Sequence, residues 1–294
     1  MRSHINGDVL IDMLIDTHAH VNFSAFKDDR DEVVKRALAE DVWMINVGSE
    51  KKTGERAVEY AQKYKEGVFA AVGLHPGSLR AQEIDEKVDD KEIIKADASA
   101  EVPRSGTKAE EFDYDYYKNL AQEKKVVAIG EVGLDYYRNP ARKELQKEVL
   151  LEQLGLAESL NKPVLLHCRE AHEDLLKILQ TWTLVGNKPL RGVVHSFSGR
   201  WSQAKQYLKM GFYLGFNGII TFARDYDKVV REMPLDKLLL ETDCPYLTPA
   251  PFRGKRNEPS YVKYVAEKVV ELRGINFEEV AEGTTRNARE LFNI

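Results

Sequence analysis

The sequence predicts an α/β protein folded as a single TIM-like (β/α)8 barrel, and three observations support this fold class. Eight short apolar runs alternate with stretches whose apolar residues recur at helical spacing. The runs are apolar throughout, as in parallel strands that are buried on both faces. Parallel neighbours also need long crossover connections, and eight β-α repeats close most simply into a barrel. We therefore expect residues 1–294 to form one barrel domain.

The predicted strands are the apolar runs themselves: Met13 to Asp16, Val42 to Val47, Val68 to Val72, Val126 to Glu131, Val164 to His167, Val193 to His195, Phe212 to Phe216 and Leu238 to Glu241. Helical periodicity fills the intervals and follows the last strand: Asp31 to Glu40, Thr53 to Tyr64, Asp115 to Glu123, Arg142 to Leu160, Glu173 to Trp182, Ser202 to Met210, Asp225 to Glu232 and Tyr261 to Leu272.

One connection departs from this alternation. Residues 77–112 contain no convincing strand, and Ala81 to Glu101 holds eight acidic residues against three lysines. Pro103 and Gly106 indicate a loop in its second half. We interpret the segment as an acidic, solvated insertion with one short helix, placed where it would repel a polyanion.

Composition limits the classes of function. Hydrophobic residues make up 43% and charged residues 31%, as in soluble globular proteins. No apolar run approaches the roughly 18 residues of a membrane span, and the start lacks a cleavable signal, so we expect a cytoplasmic protein without a membrane partner. Cys168 and Cys244 are too few for a disulfide framework. The net charge of −5 provides no global attraction for nucleic acid, so phosphate binding would be local.

Side chains that bind metals follow five of the strands, at the edge where barrel enzymes carry their sites. In Asp16-Thr17-His18-Ala19-His20 the histidines are two residues apart, so on a strand they share a face. Such a pair alone is about as often structural as metal-binding. The whole set can hold two divalent ions, with one carboxylate bridging and positions left for water and substrate. Its members are His18, His20, Glu131, His167, His195 and Asp243.

Other polar residues at this edge have candidate supporting roles. Glu241 and Asp16 each lie two positions from a proposed ligand, and each is explained equally well as a partner orienting that ligand or as an interior carboxylate. His75, in Gly73-Leu74-His75-Pro76, is a candidate to bind the scissile phosphate or donate a proton, or a structural histidine at a helix start. Arg169, two residues past His167, is placed to grip phosphate oxygens bidentately.

The loop after the eighth strand is cationic and contains aromatic residues. Arg253, Lys255 and Arg256 lie close together in it, beside Phe252. A basic loop is usually just solvated. Beside a metal site, however, this one predicts contacts to a phosphate backbone.

The chain resembles the TatD family of metal-dependent deoxyribonucleases, within the amidohydrolase superfamily. The matching motifs span nearly the whole chain, and their joint occurrence in order is far more specific than any one of them. They are Asp16-Thr17-His18-Ala19-His20, Gly73-Leu74-His75-Pro76, Gly130-Glu131-Val132-Gly133-Leu134-Asp135-Tyr136-Tyr137, Pro163-Val164-Leu165-Leu166-His167-Cys168-Arg169, His195-Ser196-Phe197-Ser198-Gly199, Glu241-Thr242-Asp243-Cys244-Pro245-Tyr246 and Arg253-Gly254-Lys255-Arg256-Asn257-Glu258-Pro259.

The resemblance implies a TIM-like barrel and a divalent-metal-dependent hydrolase, for many members a nuclease that trims DNA from the 3′ end. It implies that Glu131 bridges two ions, with magnesium or manganese in turnover, although the histidine-rich set also suits zinc. In the mechanism we expect, Asp243 holds or deprotonates the attacking water and His75 steadies the phosphate. The expected partner is DNA that is single-stranded or has a free 3′ end, and no protein partner can be inferred.

Two other functions fit the same residues. An amidohydrolase acting on an aminoacyl-tRNA or a small ester or amide would use the same barrel and metals, but many such sites have a modified lysine bridging at strand four, where this chain has Glu131. A non-catalytic nucleic-acid-binding barrel would not need a complete ligand set. Both considerations favour phosphodiester hydrolysis.

Overall fold

The computed structural model describes residues 13–79 and 109–294, and it confirms the predicted barrel. Strands β1 to β8 are hydrogen-bonded in sequence order, and each neighbouring pair is parallel. Their bounds are β1 Leu14–Ala19, β2 Val42–Val47, β3 Val68–Val72, β4 Val126–Asp135, β5 Val164–Arg169, β6 Gly192–Val194, β7 Tyr213–Phe216 and β8 Leu238–Leu240.

The first and last strands meet at their carboxyl ends. Ala19 and Cys244 form a parallel bridge there. The Asp243 N–H donates to the His18 carbonyl at 2.8 Å, and the His20 N–H donates to the Cys244 carbonyl at 2.9 Å. The main-chain bonds that close the barrel therefore also hold three of the predicted metal ligands beside one another.

Nine α-helices are found in the described parts of the chain. They are α1 Arg30–Ala39, α2 Lys51–Lys63, α3 Tyr114–Ala121, α4 Lys143–Leu160, α5 His172–Leu184, α6 Trp201–Lys209, α7 Asp227–Glu232, α8 Val262–Arg273 and α9 Phe277–Phe292. The first eight match the helices predicted from the sequence within a few residues, whereas α9 was not predicted. Its capping box, in which the side chains of Asn276 and Glu279 accept from each other's backbone N–H groups, is a sequence pattern that could have predicted where this helix begins.

Most of the acidic insertion expected at residues 77–112 lies outside the described residues.

The apolar core has two parts. One lies between the strands and the surrounding helices, where Phe26, Tyr117 and Tyr207 are fully buried. The other lies inside the barrel, where Ile15, Ile45 and other inward side chains pack with the end of α9. The strands are therefore buried on both faces, which explains their continuous apolar sequences.

Among the helices of the described segments, none is both long and apolar enough to cross a membrane.

Candidate metal centre

Glu131 is the centre of a cluster of imidazoles at the carboxyl ends of the strands. Its two carboxylate oxygens face different histidine pairs. Oε2 lies 3.5 Å from His18 Nε2 and 3.8 Å from His20 Nε2. Oε1 lies 2.7 Å from His167 Nδ1 and 2.8 Å from His195 Nε2. One carboxylate thus lies between two sets of nitrogen donors, which is the geometry of a bridging ligand.

Asp243 completes the side of the cluster formed by β1. Its Oδ1 lies 3.4 Å from His20 Nε2 and 3.9 Å from His18 Nε2, and those two nitrogens are 3.1 Å apart. All six predicted ligands therefore converge, although they come from five strands spread over more than two hundred positions. Donor atoms of these residues and of His75 form three overlapping groups, and within each group the atoms lie within 4.8 Å of one another: His18, His20 and Glu131; His18, His195 and Asp243; His75, Glu131 and His167.

Two of the histidine rings are oriented by a hydrogen-bond acceptor on the nitrogen that points away from the cluster, and a third faces a carboxylate beyond hydrogen-bond distance. His20 Nδ1 lies 2.9 Å from the Val47 carbonyl, and His167 Nε2 lies 3.1 Å from Asp135 Oδ2. His195 Nδ1 faces Glu241 Oε1 at a longer 3.6 Å. An acceptor on one ring nitrogen holds the proton there, so the other nitrogen keeps its lone pair for a cation.

Asp135 is the site residue that the sequence analysis missed. The predicted fourth strand ended at Glu131, whereas β4 continues to Asp135. Glu131, Gly133 and Asp135 are spaced by two, so they share one strand face, and this spacing was the available signal. Gly133 is needed between them: at its φ of +148°, a Cβ would lie 2.0 Å from the His167 carbonyl oxygen.

The two carboxylates treated as possible orienting partners differ in what they contact. Glu241 accepts a hydrogen bond from the Ser196 N–H and faces the His195 ring, and a Cβ at Gly215 would lie 2.2 Å from its Oε2. Asp16 instead accepts from the Thr242 hydroxyl and from the backbone N–H groups of Thr242 and His18. Glu241 thus faces a ring of the cluster, whereas Asp16 ties the end of β1 to the segment after β8.

The charges of the cluster stabilise one another. Burial favours the neutral form of Glu131, but the imidazoles of His75, His195, His167 and His18 outweigh it and hold the Glu131 pKa well below its usual value. Burial also opposes charge on His20, yet Asp243 raises the His20 pKa. Burial and the neighbouring His195 lower the pKa of His18. Glu131 therefore stays ionised in the cluster, and its charge and that of Asp243 are offset by the surrounding imidazoles.

His75 lies beside the cluster in a defined tautomer. The Gly77 N–H donates to His75 Nδ1 at 2.9 Å, so in the neutral ring the proton resides on Nε2. Nε2 lies 3.4 Å from Glu131 Oε1, and burial lowers the His75 pKa. This neutral ring presents an N–H donor toward the centre, which suits a contact to a substrate oxygen.

The four cations predicted to bind substrate occupy different environments. The guanidinium of Arg169 lies over the ring of Tyr137 and that of Arg253 over Phe222. Lys255 is exposed on its loop. Arg256 forms a bidentate pair with Asp29 and also donates to the Ala25 carbonyl. This pair fastens the loop after β8 to the loop after β1, and substrate binding by Arg256 stays a prediction.

The donor set fits divalent cations. Nitrogen and carboxylate donors converge on the same small volume, and the donors of the described cluster include two Nε2 atoms only 3.1 Å apart, an approach that a shared cation would stabilise. Mixed imidazole and carboxylate ligation suits first-row metals and zinc. A parallel barrel with such a cluster at the carboxyl ends of its strands defines the class of metal-dependent hydrolases.

Comparison with known proteins identifies the family within that class. A family model described as TatD related DNase matches residues 15–293, and the chain belongs to this family. It is 43% identical over 285 residues to YabD of Bacillus subtilis, named an uncharacterized metal-dependent hydrolase, over 96% of this chain and 100% of that protein.

Two further relatives support the same family assignment. The protein named 3′-5′ ssDNA/RNA exonuclease TatD from Erwinia tasmaniensis is 33% identical over 289 residues, covering 96% of this chain and all of that protein. The crystal structure of the Escherichia coli TatD homolog YjjV superimposes with a TM-score of 0.76 at 32% identity, covering 96% of this chain and 98% of that one. The chain is therefore a metal-dependent hydrolase of the TatD family, as the sequence analysis predicted.

Proposed function

We propose that this protein is a two-metal nuclease that hydrolyses phosphodiester bonds from the 3′ end of single-stranded DNA. The observation that carries the proposal is the position of Glu131, whose two carboxylate oxygens face separate histidine pairs. One ion would be held by His18, His20 and Asp243, the other by His167 and His195, with Glu131 shared. The relative named as a 3′-5′ exonuclease supports this substrate class.

Divalent ions held there would lower the pKa of water and offset negative charge on the reacting phosphate. Two residues of the chain would hold the attacking water and transfer protons. Asp243 is partly exposed, and burial, which would raise its pKa, is outweighed by His20 and the neighbouring imidazoles, so it is ionised and able to hold or deprotonate the attacking water. His75 would donate its Nε2 proton toward a phosphate or leaving oxygen.

Cationic side chains would bind the phosphate groups of the substrate. Arg169 follows His167 by two residues, and its planar guanidinium suits bidentate contact with phosphate oxygens. Arg253, Lys255 and Arg256 would contact the flanking backbone from the loop after β8, Arg256 while keeping its pair with Asp29. The working metals in this proposal are magnesium or manganese, with zinc as the alternative that the donor set also suits.

The test is degradation of end-labelled single-stranded DNA combined with metal analysis of the purified protein. We expect about two ions per chain, loss of label from the 3′ end first, and loss of activity with a chelator that added manganese or magnesium restores. An aminoacyl-tRNA and a small lactone serve as comparison substrates. Turnover of these without any attack on DNA would overturn the proposal in favour of an amidohydrolase.

A further inference from the structure

Two exposed aromatic rings lie at the catalytic end of the barrel. Among the described residues, five large apolar side chains are exposed. Leu151, Leu184 and Val185 belong to α4 or the end of α5, on the outer surface. Tyr137 and Phe222, 43% and 38% exposed, instead lie on the loops that follow β4 and β7. Exposed aromatic rings beside an active site often mark a binding surface.

Each ring is paired with an arginine from the end of the next strand or from the loop that follows it. The guanidinium carbon of Arg169 lies 4.0 Å from the Tyr137 ring centroid, and that of Arg253 lies 3.7 Å from the Phe222 centroid. A guanidinium over a ring keeps its full charge while its orientation becomes restricted. Each pair therefore offers a flat apolar surface next to a fixed positive charge. We call these the rim pairs.

One rim pair is connected to the candidate metal centre, and the loops of the other are hydrogen-bonded to each other. Asp135, which orients His167, precedes Tyr137 by two residues, and the Tyr136 N–H donates to the Arg169 carbonyl at 2.9 Å. On the other side, the Thr221 hydroxyl, next to Phe222, accepts from the Ala250 N–H in the Arg253 loop. One pair thus sits above β4 and β5 and the other above β7 and β8, on either side of β6 and its His195.

We infer that the rim pairs bind unpaired nucleobases by stacking and so select single-stranded nucleic acid. The inference rests on the proposed function and specifies how its substrate is recognised. Bases have apolar faces and phosphates carry charge, so in each pair the ring can stack on a base while the guanidinium attracts a phosphate. In a duplex the base faces are stacked inside the helix and are inaccessible to the rings.

The experiment measures binding separately from cleavage. Fluorescence anisotropy gives the Kd of the full-length protein, in chelator and in calcium, for a labelled single-stranded oligonucleotide and for an abasic strand of equal length. The variants are Tyr137→Ala, Phe222→Ala and the conservative Tyr137→Phe. Leu184→Ala, which removes an exposed apolar side chain from the outer surface, is the matched control.

We expect each alanine variant to raise the Kd for the ordinary strand about 10-fold, because stacking contributes roughly 1–3 kcal/mol per base. Tyr137→Phe and Leu184→Ala should bind like the wild type, and all proteins should bind the abasic strand equally weakly. The inference fails if the alanine variants keep the wild-type Kd, or if they lose equal affinity for the abasic strand. Base-dependent binding without any metal-dependent cleavage would instead overturn the proposed function, while the role of the rim pairs in binding bases would be retained.

Discussion

The two ends of the barrel are built from the same strands but contain opposite kinds of side chain. At the carboxyl ends, Glu131, His18 and their neighbours form a buried ionisable cluster. At the amino ends, α9 covers the barrel with Leu291 and Phe292, which pack with Ile15 and other interior residues. Hydrogen bonds from Thr285 to the Met13 carbonyl and from Asn287 to the Leu238 carbonyl fasten this helix to the strands.

The difference shows that the barrel places its ionisable groups at one end and its stabilising apolar contacts at the other. Burying charged groups opposes folding unless they are paired, so the cluster at the carboxyl ends depends on the mutual compensation of its charges. The opposite end has no such requirement and contributes apolar burial. Substitutions at the carboxyl ends should therefore change mainly metal binding and turnover, and those at the amino ends mainly the free energy of unfolding. Four predictions follow from this contrast.

The largest expected effect is that of Glu131→Gln at the catalytic end. The amide cannot carry the charge that faces both histidine pairs, so we expect kcat/KM on labelled DNA to fall by at least about 10³-fold, or roughly 4 kcal/mol. Metal content should fall below two ions per chain. Glu144→Gln on the exposed face of α4 is the control and should change neither quantity. Full metal-dependent turnover by the Glu131 variant would disprove the bridging role.

At the opposite end, Phe292→Ala should lower the free energy of unfolding by about 3 kcal/mol, because it leaves a cavity beneath the barrel. Urea denaturation followed by circular dichroism measures this loss. Below the unfolding transition, kcat/KM should equal that of the wild type. A variant that loses activity while remaining folded would show that the two ends are coupled.

A smaller effect is expected for Asp135→Asn. The amide oxygen can still accept from His167 Nε2, but it no longer provides the charge that keeps the ring in its ligating orientation. Metal affinity measured by competition with a chromophoric chelator should fall about 10- to 100-fold. Asp174→Asn, on α5, provides a comparison outside the cluster. Equal metal affinity in the two variants would contradict the orienting role of Asp135.

The smallest effect concerns pH. Burial lowers the pKa of His172 to about 4, and its Nδ1 lies 3.1 Å from the Tyr207 hydroxyl. Between pH 6.5 and 4 the unfolded chain therefore binds more protons at this position, so the free energy of unfolding falls as pH decreases. We expect a loss of about 1–2 kcal/mol between pH 7 and pH 5. Urea titrations should show a shallower decline in His172→Asn, whereas identical pH profiles would exclude the contribution.

The end of β4 could not be predicted from the sequence. The apolar run before Glu131 predicted a strand, but a sequence pattern does not tell where pairing stops. The strand continues because its residues up to Asp135 pair with β5 as far as Arg169. Asp135 thus became a partner of His167 through a tertiary contact. The same holds for Arg256, whose pair with Asp29 joins positions 227 residues apart.

The alternation of apolar runs and helical stretches determined the barrel by itself, because the periods of strand and helix are local properties of the chain. It also determined which side chains would meet, since parallel strands present their carboxyl ends at one edge. Only the tertiary structure decided which oxygen of Glu131 faces which histidine pair, which acceptor orients each ring, and which arginine is held by a carboxylate or lies over an exposed aromatic ring. These relations depend on distances between segments that are remote in sequence, and no local pattern encodes them.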